Sequence, residues 1–436
     1  MSATTATAVS KECVPTVVNL SPSRPATRAA RRLPARTRLA VAAGRAAATL
    51  SRRCGLGGGG IIGGRVSLLL DPHVLGHLAA GRRVVLVTGT NGKTTTALML
   101  AKALRTLGPV AANSDGANLP DGVAAALAAR PDAPYAVLEV DETYLPSVAR
   151  QTHPAAIVLL NLSRDQLDRV GEVRSTERDL RAAFTENPGA AVIANADDVL
   201  VASAALAAAR PVWISPGPGW RGDALSCPRC GNAVLHDGDH WSCPCGLRRP
   251  PPHWVLAGSE LHGPDGRMAL DLRLPGAVNL VNAAFAIAAA HEAGVPVPHA
   301  ARAVESIEAV AGRYRLIRDG ARSVRLLLAK NPAGWRETLR LLGTHRPVVI
   351  AVNGREADGR DLSWLWDVEF ERLRGRPIVA SGERAADLAV RLRYADLPHR
   401  VEPDPVRAVA GFAAGTVEVV ANYTAFRELN ARADHD

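Results

Sequence analysis

The sequence predicts an α/β protein: a middle domain built on a parallel sheet with a phosphate loop, an inserted four-cysteine ribbon, and a second α/β domain. Three observations carry this. Short apolar, β-branched runs alternate with Ala- and Leu-rich stretches at helical spacing, the pattern of parallel strands covered by helices on both faces. Glycine-rich "VTGTNGKTTT" (Val87–Thr96) separates the first such run from the first helical stretch. The alternation is interrupted by a segment holding four of the six cysteines and restarts after "GRYR" (Gly312–Arg315).

The 436 residues suggest two or three domains. Apolar residues make up 47% and charged residues 22%, an ordinary globular balance. No apolar run approaches the ~18 residues of a transmembrane helix. The formal charge of +10 is concentrated at one end: residues 1–53 hold ten Lys or Arg and one acid, leaving about +1 for the rest. That distribution argues against a nucleic-acid-binding face on the folded part. Residues 1–54 read as a disordered basic extension, with an organelle transit peptide as the other reading. Cys13 and Cys54 are isolated, and the remaining four have metal-ligand spacing, which favours a metal in a reducing compartment over disulfides.

Taken in order, "GLGGGGIIGGR" (Gly55–Arg65) reads as a loop. Val84–Val87 is the first buried strand, and Ala97, Leu100, Ala101 and Leu104 give the following helix its apolar face up to Gly108. Tyr135–Val140, Ala155–Leu162 and Ala190–Asp197 are the next strands. The cysteine segment, about residues 222–250, has proline-rich borders and reads as an insertion. Leu274–Gly294 turns into a helix. From residue 316 to 436 the pattern restarts, with "VRLLLA", "PVVIAVN" and "PIVAS" as strands.

The loop Thr88-Gly89-Thr90-Asn91-Gly92-Lys93-Thr94-Thr95 carries the clearest chemistry. Glycines let backbone N–H groups converge on phosphate oxygens, and the helix N-terminus adds favourable partial charge. Lys93 can pair with the β/γ-phosphates and Thr94 can offer its hydroxyl to Mg²⁺. Val87 stands where the general pattern wants its first glycine. Glu139 and Asp141 close a buried strand, where open α/β sheets bind ligands, so a carboxylate there can hold Mg²⁺ beside the phosphates. Cys227, Cys230, Cys243 and Cys245 offer four thiolates to a closed, structural zinc site. The second pair, Cys-Pro-Cys, is one residue short of the usual spacing. His236 and His240 are alternative ligands.

"TGTNGKTTT", "LEVDE", "NLSRDQLDRVGE", "NADD", "LPGAVNLVNA" and "GRYR" occur in the order seen in Mur ligases, which this chain resembles over roughly residues 55–430. "KNPAGW" (Lys330–Trp335), "NGREADGRDLSWLWDVEFERL" (Asn353–Leu373) and "ANYTAF" (Ala421–Phe426) resemble the C-terminal domain of the MurT family, the synthetase subunits of lipid II isoglutaminyl synthase. The resemblance implies a Mur-ligase-like middle domain over 55–315 and a Rossmann-like C-terminal domain over 316–436. It implies a cytoplasmic enzyme, at the inner face of the membrane, that amidates the D-glutamate α-carboxylate of lipid II. Its cofactors would be ATP, Mg²⁺ and Zn²⁺, its partner the glutaminase subunit GatD. Asn279 and Asn282 would contact nucleotide, Arg313 would approach the phosphates, and Gln166 stands where amino-acid-adding relatives carry a metal-binding histidine. The rival readings are an amino-acid-adding ligase, Mur-type or folylpolyglutamate-synthase-like, and a nucleic-acid-binding module. In "ADGRDLSWLWD", Asp358 or Asp361 is expected to face the glutaminase and orient its catalytic histidine, Asp358 being preferred because its glycine neighbour permits an exposed turn. Trp364 and Trp366 would anchor that interface.

Overall fold

The computed structural model describes residues 33–54, 59–113, 116–164, 173–217, 219, 222–308, 314–343 and 345–432. Arg313, Gln166, residues 1–32 and Gly55–Leu56–Gly57–Gly58 lie outside the described residues. Helices α1 (Ala35–Arg53), α2 (Gly60–Leu70) and α3 (Val74–Ala79) lead into β1 (Arg83–Thr88) and α4 (Lys93–Leu104). The chain continues through β2 (Val110–Ala112), α5 (Pro120–Ala129), β3 (Tyr135–Glu139), α6 (Leu145–Thr152) and β4 (Ala156–Leu159). Then come α7 (Val173–Glu186), β5 (Ala191–Asn195), α8 (Val199–Ala205) and β6 (Arg210–Ser215). A small hairpin, β7 (Leu235–Asp237) and β8 (His240–Ser242), precedes β9 (Trp254–Ala257), β10 (Glu260–Gly263) and β11 (Gly266–Ala269).

The first sheet has nine strands in the order β11-β10-β9-β6-β5-β4-β1-β3-β2. Its strands are parallel from β2 to β9, while β10 and β11 add an antiparallel edge. That edge turns at Gly258 and at Asp265-Gly266, both glycines having positive φ. The period-two rule explains the two cores. Val84 and Leu86 join Leu127, Val148, Phe184 and Leu200 on one face. Val85 and Val87 join Leu100, Leu104, Phe285 and Ile287 on the other. Phe285 and Ile287 lie on α9 (Ala277–Glu292), which α10 (Val297–Glu305) follows.

The second sheet is built from β12 (Tyr314–Asp319), β13 (Arg322–Leu328), β14 (Val348–Ala351), β15 (Ile378–Ser381), β16 (Arg400–Val401) and β17 (Gly415–Ala421), in the order β12-β13-β17-β14-β15-β16. Only β12 runs antiparallel. Helices α11 (Pro332–Leu341) and α12 (Ala385–Tyr394) pack on one face with Val348 and Ile350. Helices α13 (Pro405–Ala410) and α14 (Tyr423–Arg432) cover the other with Val349 and Ala351.

Two expectations need correction. The extension expected to be disordered through residue 54 is helical from Ala35, and the glycine run expected as a loop is helical from Gly60. The physical reason is close backbone contact. A Cβ on Gly44 would lie 2.4 Å from the Gly63 carbonyl oxygen, and one on Gly64 would lie 1.8 Å from that of Asp121. Glycine's cost to helix propensity is offset here by tertiary packing that no larger residue permits.

Candidate functional site

The phosphate loop forms because β1 ends at Thr88 and α4 begins at Lys93. Between them Gly89 and Gly92 take φ of 125° and 87°, a region costly to residues with a Cβ. Space forbids one as well: it would meet the Asn161 carbonyl oxygen at 2.9 Å from Gly89, and Asn282 Oδ1 at 2.5 Å from Gly92. The loop is thus a cradle closed by Asn282 of α9 and by the segment after β4. That segment holds it through reciprocal bonds. Asn91 N donates to Asn161 Oδ1 at 2.9 Å, Asn161 Nδ2 to the Asn91 carbonyl at 3.0 Å, and Ser163 N to Thr90 Oγ1 at 3.0 Å. Thr88 Oγ1 is buried with no partner among the described residues, and Thr95, on the first turn of α4, is also buried. Backbone amides, an unengaged hydroxyl and a helix N-terminus fit a polyphosphate.

Lys93 is almost wholly buried. Its Nζ donates to the Gly89 carbonyl at 2.6 Å, the Thr90 carbonyl at 3.3 Å and Glu142 Oε2 at 3.0 Å. Glu142 is also buried, and sequence reasoning passed over it although it lies in "LEVDE". Glu139 ends β3 beside Val87, buried and pinned by Asn113, whose side chain accepts from Glu139 N at 2.8 Å and donates to its carbonyl at 2.7 Å. Glu139 therefore stands at the same carboxyl edge as the loop. Asn282 Oδ1 accepts from Thr96 Oγ1 at 3.3 Å, and Asn279 Oδ1 accepts from Asn282 Nδ2 at 3.4 Å. Asn282 thus touches the loop, and Asn279 stands one helical turn behind it.

The two sheets meet at this loop. Asn91 Nδ2 donates to Asn331 Oδ1 at 3.1 Å, and Asn331 Nδ2 returns a bond to Asn91 Oδ1 at 3.3 Å. Asn331 also caps α11 by accepting from Gly334 N. Arg164 forms a second bridge, pairing with Asp223 ahead of the cysteines and with Asp367 at 3.0 Å in the C-terminal part. Asp198 supports the site from below. Its carboxylate accepts from Leu162 N at 3.0 Å and from Leu200 N and Val201 N at the start of α8. Desolvation by the surrounding chain pushes its carboxyl up to about 6.

The four cysteine sulfurs lie within 4.8 Å of one another. Cys227 and Cys245 are 3.7 Å apart, Cys230 and Cys243 3.4 Å. A tetrahedral zinc with Zn–S of about 2.3 Å needs sulfurs about 3.8 Å apart, so this donor set fits one. Gly231 and Gly246, each following a cysteine pair, have φ of 79° and 90° and let Cys227 and Cys243 accept from N–H groups three or four residues on. His236 and His240 are not in the group. Buried Trp241 donates Nε1 to the Ala196 carbonyl at 3.1 Å, and Arg249 pairs with Asp197 at 2.7 Å, seating the ribbon on the turn after β5.

In the C-terminal part the exposed turn expected at Asp358 is not formed. It is 9% exposed, its carboxylate accepting from Thr424 N at 2.8 Å and from the Thr424 hydroxyl. The glycine neighbour ends a short 3₁₀ turn and exposes nothing. Asp361 is exposed and accepts from Ser363 N at 2.8 Å. Trp364 stacks on wholly buried Trp335 at 5.9 Å and belongs to the core. Trp366, 55% exposed, packs edge-on against Tyr394 at 5.3 Å.

Comparison with known proteins follows the same division. Residues 87–215 match the Mur ligase middle domain, and residues 328–426 match the MurT ligase C-terminal domain. The chain is 28% identical to the lipid II isoglutaminyl synthase (glutamine-hydrolyzing) subunit MurT of Staphylococcus aureus (strain N315), over 84% of this chain and 91% of that one. It is 30% identical to the subunit of the same name from Streptococcus pneumoniae (strain ATCC BAA-255 / R6), over 83% of this chain and 88% of that one. Among solved structures, a pseudomurein peptide ligase type C from Methanothermus fervidus shares the fold, with a TM-score of 0.64 at 19% identity over 80% of this chain and 79% of that one. With a Mur ligase phosphate loop in its first sheet and a MurT-type second sheet clasped to it, the chain belongs to the MurT family of ATP-dependent Mur ligases.

Proposed function

We propose that this enzyme amidates the α-carboxylate of D-glutamate in the stem peptide of lipid II, using ATP and ammonia released by a glutaminase subunit of the GatD type. The observation that carries the reading is its similarity along most of its length to subunits named for that synthase. A carboxylate resists attack because its anionic oxygen is a poor leaving group. Transfer of the γ-phosphoryl from ATP gives an acyl phosphate and ADP. Ammonia then attacks the carbonyl carbon, expelling phosphate and leaving the amide.

The roles follow from position. Backbone amides of Gly89–Gly92 and the α4 N-terminus hold the phosphates. Lys93 leaves its loop carbonyls to meet charge growing on the transferring group. Thr94 and Glu139 are the residues that would hold Mg²⁺, which supplies charge neutralisation at the phosphates. Asn282, with Asn279 behind it, borders the nucleotide, and Arg313 keeps the phosphate role that its motif implies. The cysteine cluster would take zinc as a structural ion, since four thiolates leave no open position. Of the two acids, Asp361 is the exposed one and takes the role of facing the glutaminase histidine. The reaction belongs in the cytoplasm, where ATP and the precursor's peptide are both available.

The test supplies the chain with ATP and a lipid II analogue and reads product mass. Ammonium alone should give the amide, glutamine only when the glutaminase is added. Asp361→Ala should lose the glutamine-driven reaction and keep the ammonium-driven one. A product heavier by an amino-acid residue would overturn the reading in favour of an amino-acid-adding ligase.

A further inference from the structure

Lys93 occupies a receptor for an ammonium group, and the proposed reaction consumes ammonia. Its Nζ is a primary ammonium, and the groups that close on it are acceptors. The Gly89 carbonyl lies at 2.6 Å, Glu142 Oε2 at 3.0 Å and the Thr90 carbonyl at 3.3 Å. These distances suit N–H donors. Magnesium would need oxygens at about 2.0–2.1 Å. Lys93, Thr90 and Glu142 are 5%, 7% and 7% exposed, so the cage they form is buried.

Both walls of the cage are held by bonds that Lys93 does not make. On the loop side, Thr90 N donates to the Asn161 carbonyl at 3.0 Å, and Thr90 Oγ1 to the Ser163 carbonyl at 3.1 Å. On the acid side, Asp141 N donates to the Asn118 carbonyl at 2.9 Å, and the Asp141 carbonyl accepts from Tyr144 N at 3.0 Å. Thr143 N donates to Asp141 Oδ1 at 3.1 Å. Glu142 sits inside that turn. The carbonyls and the carboxylate therefore keep their places when the lysine moves.

Once Lys93 turns to the phosphates of ATP, the cage lacks its cation. A buried carboxylate left alone is costly, and a polyphosphate beside it adds repulsion. Water would satisfy the hydrogen bonds and leave the charge. An ammonium ion brings the same charge and the same N–H donors as Nζ. We propose that the Gly89 and Thr90 carbonyls and Glu142 bind an ammonium ion when Lys93 engages nucleotide. The proposal rests on the amidation reading for the use of the ion, not for its binding. Glu142 takes one proton from it, since burial and neighbouring negative charge both raise a carboxylate's proton affinity. The ammonia so formed bonds to the acyl carbon, the C–O bond to phosphate breaks, and a second proton leaves with the phosphate.

The experiment follows the first urea transition of Lys93→Ala at pH 7, without nucleotide, in ammonium chloride against sodium chloride and potassium chloride of equal concentration. Ammonium should lower its unfolding constant by about tenfold, in a shift that saturates as a single site does. Wild type, whose own lysine fills the cage, should not show the shift. Nor should Lys93→Ala/Glu142→Gln, which lacks the carboxylate. No difference between ammonium and sodium in Lys93→Ala, or an equal shift in the double variant, overturns the proposal. An equal shift with potassium makes the cage a general monovalent-cation site and overturns its assignment to ammonium. Calorimetry of wild type decides the matter if Lys93→Ala does not fold. A non-hydrolysable ATP analogue with Mg²⁺ should bind about threefold or more tightly in ammonium than in sodium, because linkage is reciprocal. Glu142→Gln should remove that difference, and equal affinity of wild type in the two salts overturns the proposal. Neither measurement uses a stem peptide. A wild-type protein that makes no amide from ammonium would count against the amidation reading and leave the ion site standing.

Discussion

Replacing Lys93 by alanine removes more than a phosphate ligand. The side chains of Lys93 and Glu142 are 7% and 9% exposed and 3.0 Å apart. At an effective dielectric of about 20 their attraction is about 5–6 kcal/mol. Removing one member of such a pair typically costs about 3–5 kcal/mol, because the other charge is left buried alone. Lys93→Ala should therefore lose about 3–5 kcal/mol at pH 7. Adding Glu142→Gln should restore most of that stability and none of the activity. The assay is urea unfolding of wild type, both single variants and the double variant at pH 7, followed through the first transition, with ATP turnover in parallel. A single variant as stable as wild type at pH 7, or a double variant no more stable than the single, refutes the buried-pair reasoning. Loss of turnover in Lys93→Ala alone would not distinguish a missing phosphate contact from a damaged loop. The double variant does.

Gly92→Ala should weaken ATP binding by about tenfold or more while leaving the far-UV spectrum unchanged. A left-handed alanine costs about 1–2 kcal/mol, and its Cβ would also displace Asn282. Unchanged affinity by calorimetry would show that the cradle is not where nucleotide sits. Protein purified without chelator should carry about one zinc per chain. Cys243→Ser should lower that content and keep ATP binding, whereas metal-free wild type would refute the site. Asp198, whose carboxyl is raised to about 6, binds its proton more tightly folded than unfolded. Its contribution to stability should therefore be fully present below about pH 4 and lost as pH rises to about 6, by up to about 3 kcal/mol. Asp198→Asn should flatten that slope in melting experiments from pH 4 to pH 7, and an unchanged slope would assign it to other groups.

The strands around the phosphate loop were legible because β1, β3, β4 and β5 are short, largely apolar runs buried on both faces. The cysteine cluster was legible from spacing alone. Helices α1 and α2 were not. An arginine-rich, acid-free segment followed by glycines has the composition of a tail, and what makes it helical is contact between Gly44 and Gly63, which no local pattern reports. Central strand β17 was missed because "GTVEVVA" begins with glycine and carries Glu418 inside the sheet, where it pairs with Arg325 at 2.8 Å. Asp358 was misjudged because its partner Thr424 lies 66 residues away. The Lys93–Glu142 pair spans 49 residues and the Asn91–Asn331 pair 240. Each exists only because the topology sets β1 beside β3, or the loop beside α11.

The reciprocal amide pair between Asn91 and Asn331 makes one position answer to two tasks. Two neutral hydrogen bonds contribute about 2 kcal/mol together, a bias of about thirtyfold on how the halves of the molecule sit. Thermodynamic reciprocity then applies. Whatever nucleotide does to the hold of Asn91 on Asn331, that hold does equally to the grip of the loop on nucleotide. Fuel and seam share a single asparagine.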